Sequence, residues 1–87
     1  MEDFERIASF LRQHMDKFTD DQKLFMYGLY KQATKGDIES NYKCNDIVSK
    51  YKFDAWVKNR GMDKEKAMEK YVKIGSKFEI NLLKLNE

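Results

Sequence analysis

Thr19-Asp20-Asp21-Gln22-Lys23-Leu24-Phe25-Met26-Tyr27-Gly28-Leu29-Tyr30-Lys31-Gln32-Ala33-Thr34-Lys35-Gly36 decides the fold, because it reads as one complete helix with apolar groups on more than one face. Thr19 with Gln22 three residues later is a capping-box pair, each side chain satisfying the other's backbone N–H. Asp20 and Asp21 then sit in the first turn, where capping explains them better than acid–base chemistry does. Gly36 supplies the stop. Leu24, Phe25, Met26, Leu29 and Ala33, alongside Tyr27 and Tyr30, spread round the cylinder. Such a helix is either central or has a second surface to cover. Tyr27, Tyr30 and Lys31 fall at i, i+3 and i+4 and so share a face. That face offers two hydroxyl-tipped rings beside a cation on a long arm, which suits a flat, phosphorylated ligand better than a plain core.

Three more helices are expected around this one. Phe4, Ile7, Ala8, Leu11 and Met15 form an amphipathic stripe over about residues 2–15. Phe53, Trp56 and Val57 mark a third helix over about 50–60, ended by Gly61. Asp63 can cap a fourth, in which Ala67, Tyr71, Ile74, Phe78, Leu82 and Leu85 repeat at i, i+4, i+7, i+11, i+15 and i+18. Between Asp37 and Ser49 the periodicity fails, and Asp37, Ser40, Asn41, Asn45 and Asp46 read as loop. A loop of that length crosses from one end of a bundle to the other or carries function.

Composition agrees with helices joined by short loops: proline is absent and glycine rare in an 87-residue chain. That length predicts one domain, residues 1–87, with a modest core. Charged residues make up 37%, yet the net charge is only +2. The balance excludes a large uniform field and disfavours nucleic-acid binding, while leaving room for a locally basic surface. The lone Cys44 reads as a reduced thiol in the loop, and the lone His14 as a surface group. Glu2 and Asp3 have the wrong charge for a secretory leader, Glu2 excludes N-myristoylation, and no apolar run spans a bilayer. The expectation is a cytoplasmic monomer without metal or cofactor. No phosphate-binding glycine loop, HExxH, CxxC or Gly-x-Ser-x-Gly is present, so an enzyme is not expected.

Binding candidates extend beyond the second helix. Tyr71 is a hydroxyl-tipped group in the apolar stripe of the fourth helix, and Lys52 precedes Phe53 and Trp56 in the third. Four-helix domains place ligands between facing helices. The run from Leu24 to Asp37 then resembles the signature of the acyl-coenzyme A binding protein family. Lys52-Phe53-Asp54-Ala55-Trp56 resembles that family's Lys-aromatic-Asp-Ala-Trp element, and Lys64-Glu65-Lys66-Ala67-Met68-Glu69-Lys70-Tyr71-Val72 its Lys-Glu-x-Ala-Met-x-x-Tyr segment. The match runs from Phe4 to about Phe78.

The resemblance implies an all-α, four-helix up-down-down-up bundle that binds medium- to long-chain fatty acyl-CoA as a non-catalytic carrier. Under it the loop from Asp37 to Ser49 joins two parallel helices. Tyr27, Tyr30 and Lys31 lie on the binding face, a tyrosine ring stacking on adenine and Lys31 meeting the ribose phosphate. Lys52 is a second phosphate contact, Tyr71 adds a hydroxyl, Arg12 completes a cationic rim, and Gly28 and Leu29 fall within the contact segment. Transient contact with acyl-CoA-using enzymes or membranes is the partnership it implies. The chain departs from the family in four places: a crossover one residue shorter and without an Arg-Pro-Gly-like turn, Phe53 for a frequent Trp, Ile7 for a frequent small residue, and an aliphatic tail from Ile80 to Leu85. The competing expectation is a helical module that binds a partner peptide through the Tyr27/Tyr30 face and that tail.

Overall fold

Capping chemistry sets the first boundary. The Gln22 N–H donates to the Thr19 hydroxyl at 3.1 Å, and the Thr19 N–H donates to Gln22 Oε1 at 2.9 Å. With both donors satisfied, a helix runs over Asp20–Lys35 and is capped at Gly36. Thr19→Ala is expected to cost about 1 kcal/mol and to lower Tm by roughly 4–8 °C. A thermal melt indistinguishable from wild type would remove the cap from the list of stabilising contacts.

The computed structural model describes residues 2–39 and 45–85, and its helices are α1 (Glu2–Gln13), a 3-10 turn (Met15–Lys17), α2 (Asp20–Lys35), α3 (Ile47–Val57) and α4 (Lys64–Leu85). Two boundaries differ from those expected. The first helix stops at Gln13 rather than Met15, because the chain tightens: Lys17 N–H donates to His14 O and Phe18 N–H to Met15 O. The third spans 47–57 rather than 50–60. Asp46 is an N-cap and not a loop residue, its carboxylate accepting from the Ser49 N–H at 2.7 Å. At the other end, Asn59 N–H bonds Trp56 O and Arg60 N–H bonds Val57 O, tight turns that end the α-helical ladder. Cys44 and part of the crossover fall outside the described residues.

Contacts give the topology. Tyr27 meets Lys52, Lys31 meets Trp56, and Arg60 donates to Ile38 O, so residue numbers rise together and α2 and α3 are parallel. Tyr30 meets Tyr71, and Lys64 approaches Gly36, so α2 and α4 are antiparallel. Phe4 meets Tyr71 and Ile7 meets Gly75, so α1 and α4 are parallel. The result is the up-down-down-up bundle. Its core gathers Phe4, Ile7, Ala8 and Leu11 from α1, Met26, Leu29 and Ala33 from α2, and Ala67 and Tyr71 from α4. Burying each large apolar side chain contributes about 1.5–3 kcal/mol.

Gly75 explains why Ile7 is accommodated. A Cβ on Gly75 would collide with Ile7 Cγ2, so the missing side chain on α4 makes room for the larger one on α1. The start of the crossover is sewn to the α3–α4 turn rather than left loose. Fully buried Gln32 donates through Nε2 to Asp37 Oδ1 and to Met62 O, both at 2.8 Å. The Gly61 N–H also donates to Asp37 Oδ1, and Trp56 Nε1 donates to Gly36 O. The Gly61 N–H first, and the Gln32 amide second, hold the Asp37 carboxyl below its ordinary value. A lowered folded-state pKa makes this tie fully effective above the unfolded carboxylate pKa of about 3.9, and it fades as pH falls through the folded value.

Candidate functional site

An apolar cavity of about 340 Å³ opens between α1, α2 and the inner face of α4. Its walls are Ala8, Leu11, Met15, Phe18, Met26 and Phe78, and its rim carries Arg12, Lys23, Tyr27, Tyr30, Lys31 and Tyr71. The volume lies toward the lower end of the roughly 300–1,000 Å³ usual for small-molecule sites. Apolar walls with a few convergent polar groups are the general anatomy of such sites.

Helical spacing puts these groups together. Tyr27, Tyr30 and Lys31 point from α2 into the space where α1 ends, so Arg12, in the last turn of α1, faces them. Phe4 lies beneath. Its ring stacks on Tyr30 at 5.5 Å with the planes 10° apart, and it meets Tyr71 at 5.1 Å in a tilted contact. Tyr30 and Tyr71 are themselves tilted together at 5.9 Å. One face of Tyr30 is therefore covered, and what it offers the cavity is its edge and hydroxyl. Burial pushes the Tyr71 phenol up to about 12, against a smaller opposing pull from Arg12, so it stays a neutral hydroxyl near pH 7.

Two lysines are held over aromatic faces on the α3 side. Lys31 Nζ lies 4.9 Å from the centre of the Trp56 ring, and Lys52 Nζ 5.4 Å from that of Tyr27. Such contacts contribute about 0.5–1 kcal/mol at exposed sites. They position each ammonium without neutralising it, which leaves the charge available to an anion.

The eight residues singled out from sequence divide into two groups. Arg12, Tyr27, Tyr30, Lys31 and Tyr71 line the cavity, and Lys52 joins them through the Tyr27 ring. Gly28 and Leu29 do not line it. Leu29 is 1% exposed in the core. Gly28 faces α3, where a Cβ would collide with the Ala55 carbonyl oxygen and come within 2.9 Å of Asn59 Nδ2. The two helices come close enough there that a side chain would not fit, between the Tyr27 and Lys31 contacts with α3. His14 packs on Phe10 at 4.4 Å, outside the cavity lining.

Lys23 belongs to the rim and was missed. The signal was available, since Lys23 precedes Tyr27 by four residues and so shares its face. Phe18 and Phe78, whose rings meet at 5.3 Å, close one side of the cavity. Phe18 lies beyond the α1 stripe, where periodicity has nothing to say.

The start of α3 exposes apolar side chains on the side of the bundle where α2 and α3 meet. The α3 stripe that faces α2 carries Val48, Lys52, Ala55 and Asn59 at i, i+4, i+7 and i+11. Asn59 and Ala55 meet Gly28, yet Val48 is 58% exposed. The two parallel helices therefore pack closely at Gly28, while the start of α3 leaves Val48 uncovered. Ile47 and Tyr51 beside Val48 are 66% and 55% exposed.

Comparison with known proteins accords with this arrangement. A family model described as acyl-CoA binding protein matches residues 1–75. Diazepam-binding inhibitor-like 5 of Mus musculus is 38% identical over 71 residues, which cover 80% of this chain and 82% of that protein. Acyl-CoA-binding domain-containing protein 2 of Oryza sativa subsp. japonica is 38% identical over 72 residues, covering 82% and 79%. The crystal structure of Oryza sativa acyl-CoA-binding protein 2 superposes with a TM-score of 0.78 at 35% identity, across 87% of this chain and 86% of that one. A four-helix bundle whose sequence and shape agree in this way belongs to the acyl-CoA binding protein family.

Proposed function

We propose that residues 1–87 act as one domain that binds a medium- to long-chain fatty acyl-CoA and carries it, unaltered, as a cytoplasmic monomer. The observation that carries this reading is the convergence of Arg12, Lys31, Tyr27, Tyr30 and Tyr71 on an apolar-walled cavity. Coenzyme A presents a flat base beside several phosphates, and charge-assisted hydrogen bonds to Lys and Arg favour such a ligand. The base occupies the cavity, flanked by the tyrosines. Lys31, Lys52 and Arg12 meet phosphates, and Tyr71 donates its hydroxyl. Gly28 and Leu29 act as scaffold, holding α2 at the distance from α3 that this requires.

The acyl chain needs apolar surface outside the head-group cavity. The start of α3 supplies it, with Ile47, Val48 and Tyr51 exposed there and Lys52 beside them over the Tyr27 ring. Each buried methylene contributes about 0.8 kcal/mol, equivalent to a factor of about four in affinity. Calorimetric titration with a series of acyl-CoA esters tests the assignment. Palmitoyl-CoA should bind one to one, and affinity should fall by up to about fourfold per methylene removed. Free coenzyme A binding as tightly as palmitoyl-CoA would refute the acyl-chain assignment. Absence of saturable binding by any ester would refute the function.

A further inference from the structure

The outer face of α4 is a lysine stripe. Lys66, Lys70, Lys73, Lys77, Ile80 and Lys84 fall at i, i+4, i+7, i+11, i+14 and i+18, one line about 27 Å long. All six are exposed. Among the described residues none of these lysines takes part in an ion pair, the nearby carboxylate Glu79 being bound instead to Arg6 at 2.7 Å. Glu65 and Glu69 border the first half of the stripe, beside Asp3 of α1, and both are exposed. Its second half is bordered differently, by the apolar Leu83 next to Ile80, 57% and 50% exposed. Take the five lysines away and the chain's formal charge of +2 becomes −3, so the near-neutral total conceals one strongly basic face. Like charges at i and i+4 oppose helix formation, as Lys66–Lys70 and Lys73–Lys77 do here. Of the five, Lys73, four residues after Glu69, and Lys84, in the last turn, are placed to support the helix.

We propose that this face docks the protein on an anionic lipid surface, with Lys73, Lys77 and Lys84 over the head groups and Ile80 and Leu83 entering the interface. Charge complementarity favours an anionic partner. The pair of aliphatic side chains set among the lysines favours a bilayer over a nucleic acid, whose backbone offers nothing apolar to receive them. The core face of α4, with Tyr71 and Phe78, lies on the opposite side of the helix and forms the floor of the cavity. None of the docking residues lines the cavity, so docking leaves its walls uncovered.

Co-sedimentation with vesicles of equal parts phosphatidylserine and phosphatidylcholine tests the docking, with pure phosphatidylcholine vesicles and a DNA duplex as comparisons. Wild type should partition onto the anionic vesicles only. Each lysine near such a surface is worth about fivefold in partitioning, so Lys73→Gln/Lys77→Gln/Lys84→Gln should lose about a hundredfold. Ile80→Ser/Leu83→Ser should also weaken binding and leave a remainder that added salt abolishes completely. Far-UV circular dichroism establishes that both variants keep their helices. No binding to anionic vesicles, equal binding by wild type and the triple variant, or binding to the duplex in preference to vesicles would each overturn the proposal.

Discussion

Phe4→Ala is expected to remove about 3–5 kcal/mol of folding stability, a large share of the 5–15 kcal/mol typical of a whole domain. Phe4 is 2% exposed and packed against the rings of Tyr30 and Tyr71. Truncation removes the ring's transfer free energy and leaves a cavity between α1, α2 and α4, because the two tyrosines cannot collapse into it without abandoning the ligand cavity. The paired ring contacts add about 0.5–1.5 kcal/mol beyond buried area. Urea unfolding should show a lower midpoint at an unchanged slope. Phe4→Leu keeps most of the volume and should cost much less. In the fraction of Phe4→Ala that stays folded, Tyr30 and Tyr71 lose the wall that orients them, so acyl-CoA affinity should fall although Phe4 is not among the cavity-lining residues. A stability loss under about 1 kcal/mol would show that the aromatic cluster is not the bundle's anchor.

The parts of the fold legible in sequence were those whose chemistry is local. The Thr19–Gln22 box and the Gly36 stop act within one turn, so α2 could be bounded to the residue. The start of α3 could not, because Asn45 and Asp46 look alike as loop residues and only the Ser49 N–H distinguishes a cap from a turn. Ile47 and Val48 gave no help, being apolar residues that this structure leaves exposed. Parallel packing of α2 and α3 came from family resemblance alone, since periodicity says nothing of direction. For the site, spacing along α2 sufficed to group Tyr27, Tyr30 and Lys31, while Gly28 and Leu29, singled out with them, lie outside the cavity lining. A motif records residues that matter without recording why. At Gly28 the constraint is the approach of the Ala55 carbonyl, and at Leu29 it is the core. The lysines of α4 were visible one by one, but the net charge averaged them away.

Lys31→Ala is expected to weaken acyl-CoA binding by about tenfold to a hundredfold, since a hydrogen bond to a charged group contributes about 1.5–3 kcal/mol. Lys31 lines the cavity, and its ammonium is held 4.9 Å from the Trp56 ring centre. The ring fixes where the charge sits, so little side-chain entropy is lost on binding. Removing the side chain also removes the contact with Trp56, but that indole remains bonded to the Gly36 carbonyl at 2.8 Å, and the helix keeps its stability to within about 1 kcal/mol. The assignment to the ribose phosphate can be isolated by changing the ligand as well as the protein. Wild type and Lys31→Ala should each be titrated with palmitoyl-CoA and with the ester lacking that phosphate. If Lys31 meets it, the mutation costs the full factor with the complete ligand and close to nothing with the truncated one, a coupling that two independent contacts would not show. Equal losses with both ligands would move Lys31 to the pyrophosphate. Unchanged affinity with both would take it out of the site, and Lys52, held over Tyr27 on the same side of α2, would then be the cation that the phosphate meets.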